Sequence, residues 1–113
     1  MRVPNPDRAV IDSSKLRDYI LSDAHPVGRF KARFFHRLGY TAADAARLEQ
    51  DLYHHLQQHD AVLGDTTQYG AKYLVRGIVT GPNGRSAEVV SVWIIRTAED
   101  FPRLITAYPG AET

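Results

Sequence analysis

Along the first half of the chain apolar residues recur every three or four positions, and from Ala61 onward they recur every second one, so helices precede strands. Residues 15–21 set Leu16, Tyr19 and Ile20 on one helical face, with Asp12, Ser13 or Ser14 as the cap, until Ser22-Asp23-Ala24-His25-Pro26 interrupts. Pro26 suits the first turn of a second helix, whose stripe is Val27, Phe30, Phe34 and Leu38 and whose stop is Gly39. Thr41 and Asp44 resemble a capping box, with Asp in place of the usual Glu or Gln. They open a third helix that turns Ala45, Leu48, Leu52 and Leu56 inward. Strands are predicted over 68–80, 85–97 and 103–108, with 62–67 as a further edge strand. Gly81-Pro82-Asn83-Gly84 makes a hairpin turn, because proline presets its first central position and Asn and Gly tolerate left-handed backbone. The expected fold is α+β, with about three N-terminal helices packed on one face of a three- to four-stranded antiparallel sheet.

A length of 113 residues fits one domain with one modest core: an extended arm over 1–11, a helical part over 12–59 and a sheet over 60–109. Hydrophobic residues at 43% and charged ones at 24% are ordinary for a globular protein, which argues against wholesale disorder. With no cysteine there is no disulfide, no thiolate nucleophile and no cysteine-held metal, and a cytoplasmic location is the default expectation. No apolar run approaches the roughly 18 to 20 residues of a membrane span, and no signal-type core follows Met1, so the chain is expected to be soluble and unprocessed. A net charge of +1 gives little long-range pull on nucleic acid, so any such contact must come from a local patch. The basic cluster Arg29, Lys31, Arg33 and Arg37 is the candidate, and as a helix face it also fits plain solvation.

Candidate chemistry lies in two places. If Thr80 closes opposite Arg85, parity puts Tyr73, Val75, Gly77, Val79, Val90, Val92 and Ile94 under the helices. Arg76, Ser91 and Trp93 then share the other face with Thr106 and Tyr108. Arginine forks onto phosphate oxygens, hydroxyls add hydrogen bonds and aromatic faces stack on bases, so this face suits phosphate and base. The alternative is structural, with Arg76 paired to a carboxylate such as Glu88 or Glu99. The second place is His25, at a helix start where free backbone N–H groups, Arg29 and Lys31 could meet an anion. His55 and His59 share a helix face, but without a third ligand no metal is expected, and no cofactor is.

The runs His-Pro-Val-Gly-Arg-Phe-Lys-Ala-Arg-Phe-Phe, Tyr-Gly-Ala-Lys-Tyr-Leu-Val-Arg-Gly, Thr-Gly-Pro-Asn-Gly-Arg, Val-Trp-Ile-Ile and Pro-Arg-Leu-Ile-Thr-Ala-Tyr-Pro carry a resemblance over residues 11–109. Together they resemble a family of small bacterial domains of unknown function, found alone or at the C-termini of proteins resembling polymorphic toxins. Helices followed by a small sheet ending in Thr-x-Tyr-Pro are similar to the barnase, EndoU, colicin and RelE-like ribonuclease group. That resemblance implies metal-independent RNA cleavage by attack of the ribose 2′-hydroxyl on the adjacent phosphate. It gives His25 the role of general acid or base, Lys31 and Arg76 phosphate stabilisation, and Thr106 and Tyr108 substrate orientation or donation to the leaving oxygen. Arg29, Arg33, Ser91 and Trp93 are the expected substrate-binding residues, RNA the expected substrate, and an antitoxin or immunity protein the expected partner. No glutamate stands obviously at that group's base position. Two other readings stay open: a protein-interaction module, pairing with itself as a homodimer or with another protein, and a nucleic-acid-binding domain without catalysis.

Overall fold

The computed structural model describes residues 1–16 and 29–110. A 3-10 turn, Pro6–Arg8, and a single helical turn, α1 (Ser13–Lys15), lead to helix α2 (Arg29–Arg37). A second 3-10 turn, Ala42–Asp44, runs into helix α3 (Ala45–Gln58), and strands β1 (Ala61–Thr67), β2 (Gly70–Thr80), β3 (Ser86–Arg96) and β4 (Arg103–Pro109) follow. The strands pair antiparallel in the order β1-β2-β3-β4. The expected three helices are, among the described residues, two plus the single turn α1, capped where Ser14 N–H donates to Asp12 Oδ1. The rest of the predicted first helix and the start of the second lie outside the described residues.

The helical periodicity meets the sheet in one core. Phe34, Phe35 and Leu38 of α2, Tyr40 beyond it and Leu48, Leu52 and Leu56 of α3 are buried against Val75, Val79, Val89, Trp93, Leu104 and Ala107 of the sheet. Each large side chain so covered contributes about 1.5–3 kcal/mol. Phe34 and Phe35 meet edge to face at 5.0 Å, and Phe35 repeats this with Tyr40 at 6.2 Å. Asp44 reaches back to the Thr41 N–H at 2.9 Å, so the Asp-for-Glu capping box works.

The N-terminal arm belongs to the fold. Val3 and Ile11 sit in the core, Ile11 N–H donates to the Tyr53 hydroxyl of α3, and the arm touches both ends of the strand order. At β1 the Ala61 N–H donates to the Met1 carbonyl. At β4 Val10 bridges Arg103, with Val10 N–H on Pro102 and Leu104 N–H on Val10.

The hairpin register differs from the expectation by one residue. Thr80 pairs with Ser86, not Arg85, and the ladder runs through Val75↔Ser91 and Tyr73↔Trp93. Gly84 N–H bonds the Gly81 carbonyl and Gly84 adopts φ +83°, so the turn adds one left-handed residue before Arg85 and the loop holds an odd number. This shape also docks. Asn83 donates from its side chain to the Arg37 carbonyl at 2.9 Å, and Gly81 lies so close to Leu38 O that a Cβ would fall 1.9 Å from it. The loop thereby covers carbonyls that α2 leaves open at its C-terminus.

Candidate functional site

Each side chain of the sheet takes its face from this register. Ala87, Val89, Ser91, Trp93 and Ile95 turn toward the helices with Tyr73, Val75, Gly77 and Val79, while Glu88, Val90, Val92 and Ile94 share the other face with Leu74, Arg76 and Ile78. This face is open at Arg76 and Ile78, although Val90 between its neighbours is buried. Ser91 and Trp93, expected beside Arg76, are instead fully buried on the opposite face, where Trp93 offers no ring to a base. A β4 bulge between Val92 and Trp93 skips Ile105, which sets Leu104 inward beside Trp93 while Thr106 and Tyr108 stay on the open face.

Three of the expected residues do come together there. Arg76, Val90 and Tyr108 form one cross-strand row, and Leu74, Val92 and Thr106 form the next. Arg76 is exposed and donates from Nη1 to Glu88 Oε1 at 2.6 Å and to the Gly110 carbonyl, which leaves Nε and Nη2 for a ligand. Gly110 N–H closes the group on the Glu88 carbonyl at 2.8 Å. A Cβ at Gly110 would lie 2.8 Å from Glu88 Oε1, so glycine is what lets carboxylate and guanidinium meet under the chain. Glu88 is the residue that sequence reasoning weighed only as a structural partner of Arg76. Its signal was the alternation of β3, readable only once the loop parity is known.

His25 lies outside the described residues, as do the side chains of Arg29 and Lys31, whose backbones belong to α2. Arg33 is exposed on α2.

Under the sheet a polar chain crosses the core. Trp93 Nε1–H donates to Ser91 Oγ at 2.8 Å, and Ser91 Oγ lies 3.0 Å from His55 Nδ1. His55 Nε2 lies 3.2 Å from the Gly77 carbonyl and 3.1 Å from that of Val89. Indole can only donate and carbonyls can only accept, so Ser91 passes its own proton to Nδ1 and His55 carries its hydrogen on Nε2. Burial above all lowers the His55 pKa, with the neighbouring His59 acting in the same direction. Among the described residues no three His, Asp or Glu side chains converge on a metal position.

Where α3 ends, a cleft of about 240 Å³ opens against β2, lined by Asp51, His54, Gln58, His59, Ile78 and Thr80 among others. His59 donates from Nδ1 to the His55 carbonyl at 3.0 Å, and its ring occupies the space a Cβ would take at Gly77.

A chain of the contact-dependent growth inhibition toxin–immunity protein complex from Klebsiella pneumoniae 342 superposes with a TM-score of 0.69. The match covers 88% of this chain and 98% of that one at 21% identity, a likeness of fold. No curated protein matches the chain. A family model described as "Domain of unknown function (DUF6883)" matches residues 2–111. No helix among the described residues is long and apolar enough to cross a membrane.

Proposed function

The chain belongs to the DUF6883 family, a domain of unknown function, and on that premise we propose that it is a toxin-type endoribonuclease working on the open face of its sheet. The observation that carries this reading is the cross-strand row that sets Arg76 and Tyr108 on one face, with Glu88 ion-paired to Arg76 from the neighbouring row, on a side that no described helix covers. The fold shared with a chain of a toxin–immunity complex supports the toxin side of the reading, and with it an immunity protein as partner.

The chemistry needs no metal ion. Arg76 holds a phosphate through Nε and Nη2, and the Glu88 carboxylate takes the proton of the ribose 2′-hydroxyl as its oxygen attacks phosphorus. The bond from phosphorus to the 5′-oxygen breaks, that oxygen receives a proton from His25 or Tyr108, and a 2′,3′-cyclic phosphate is left. Lys31 adds positive charge at the phosphate, and Thr106, with Arg29 and Arg33, orients the strand. These roles are tested by incubating labelled RNA with the purified protein in EDTA. Cleavage should survive chelation and fall about 100-fold or more in Arg76→Ala, Glu88→Gln and His25→Ala, each checked for folding. Absence of cleavage across varied RNAs would move the reading to a protein-interaction module, which the exposed Val62, Leu63 and Tyr69 around β1 favour.

A further inference from the structure

The cleft at the end of α3 has an unusual wall. Gly81 donates to Arg85 and Thr97 to Tyr69 across the β2–β3 ladder, so odd-numbered residues of β2 turn their backbone polar groups toward β3 and even-numbered ones toward β1. β1 reaches only as far as Val75. The N–H and C=O groups of Ile78 and Thr80 therefore face outward beyond it, with no strand beside them among the described residues.

The other wall is rich in acceptors. His59 spends Nδ1–H on the His55 carbonyl, and its Nε2, beside Gly77, is left as a lone-pair acceptor. Asp51 receives the Tyr40 hydroxyl and Arg47 Nε on the same oxygen, Oδ2, which leaves Oδ1 unclaimed. Gln58 and His54, both exposed, complete the rim with an amide and an imidazole face. A carboxylate in the wall disfavours a phosphate, while strand-edge amides and carbonyls beside a glutamine match the mixed donors and acceptors of a base edge. Ile78 joins the cleft to the open face, since its side chain lies on the same side as Arg76 and is 58% exposed.

We propose that this cleft takes one unpaired nucleobase bearing an exocyclic amine, from an RNA strand that crosses the open face and bends around the bare edge of β2. The amine meets the free Oδ1 of Asp51, the strand edge at Ile78 and Thr80 reads the remaining polar atoms, and His54 stacks on the ring. This site rests on the ribonuclease reading for its source of RNA, but its occupancy can be measured without cleavage.

The experiment titrates the isotope-labelled protein with AMP, GMP, CMP, UMP and inorganic phosphate while following the amides of Ile78 and Thr80 and the rings of His54 and His59 by NMR. The amino-bearing nucleotides should shift these resonances, UMP should do so more weakly and phosphate not at all. Gln58→Ala should weaken the effect about tenfold, as loss of one hydrogen-bonding partner does, and His54→Ala should weaken it independently. No shift in the cleft at millimolar nucleotide, or an equal shift with phosphate alone, would overturn the proposal. Base-dependent shifts in a protein that cuts no RNA would leave the base site standing and remove the nuclease. Cleavage without such shifts would do the reverse.

Discussion

His55 shows how a single side chain can link pH to the whole fold. Its two ring nitrogens serve Ser91 and the carbonyls of Gly77 and Val89, a pattern that holds only for the neutral ring. Adding a proton would require Ser91 to turn its hydroxyl hydrogen away and find another acceptor. The unfolded chain accepts that proton near pH 6.5, about the ordinary histidine value, while burial keeps the folded ring below it. The unfolded state then binds more protons, so the contribution is complete above about pH 6.5 and is lost as pH falls toward the lowered folded value. Urea midpoints should therefore drop between pH 7.5 and 5.5, and His55→Gln should flatten that slope even though it lowers stability throughout. An unchanged slope in the variant would place the acid sensitivity elsewhere.

Among the elements, the β2–β3 loop does most to set where side chains point. Gly81 and Gly84 look alike in sequence, yet Gly84 needs only its left-handed backbone whereas Gly81 meets the Leu38 carbonyl. Gly84→Ala should cost about 1 kcal/mol for the left-handed conformation. Gly81→Ala should cost about 3 kcal/mol, because a methyl group cannot share space with backbone. Chemical denaturation of both variants decides this, and equal losses would mean that the loop does not dock on α2. The same loop marks the limit of what could be read beforehand. The helical stripe of α3, the capping box at Thr41, the edge strand and the hairpin were all legible, because periodicity and turn chemistry are local. Whether the loop holds an even or odd number of residues depends on Gly84 and on contact with a helix more than 40 positions earlier, and one residue of difference inverted the faces of Ser91, Trp93 and Glu88. Arg76, Thr106 and Tyr108 kept their shared face because a β4 bulge, also invisible in the pattern, offset the change.

For the molecule as a whole, the arm matters beyond its few residues. Val3 is buried between the edges that Met1 and Val10 hold, so Val3→Ala should cost about 2 kcal/mol through the cavity it leaves. Amide hydrogen exchange should then speed up at Ala61 and Leu104 together, although they lie at opposite edges of the sheet. Faster exchange at Ala61 alone would show that the arm acts as two separate clips. The bridge from Val10 to Arg103 also bears on time. A contact spanning nearly the whole chain is slow to close and cannot form on a ribosome before its last strand has emerged. Until then β3 is the bare rim of the sheet, and the growing polypeptide passes through a stage in which neighbouring copies could pair where β4 will later lie.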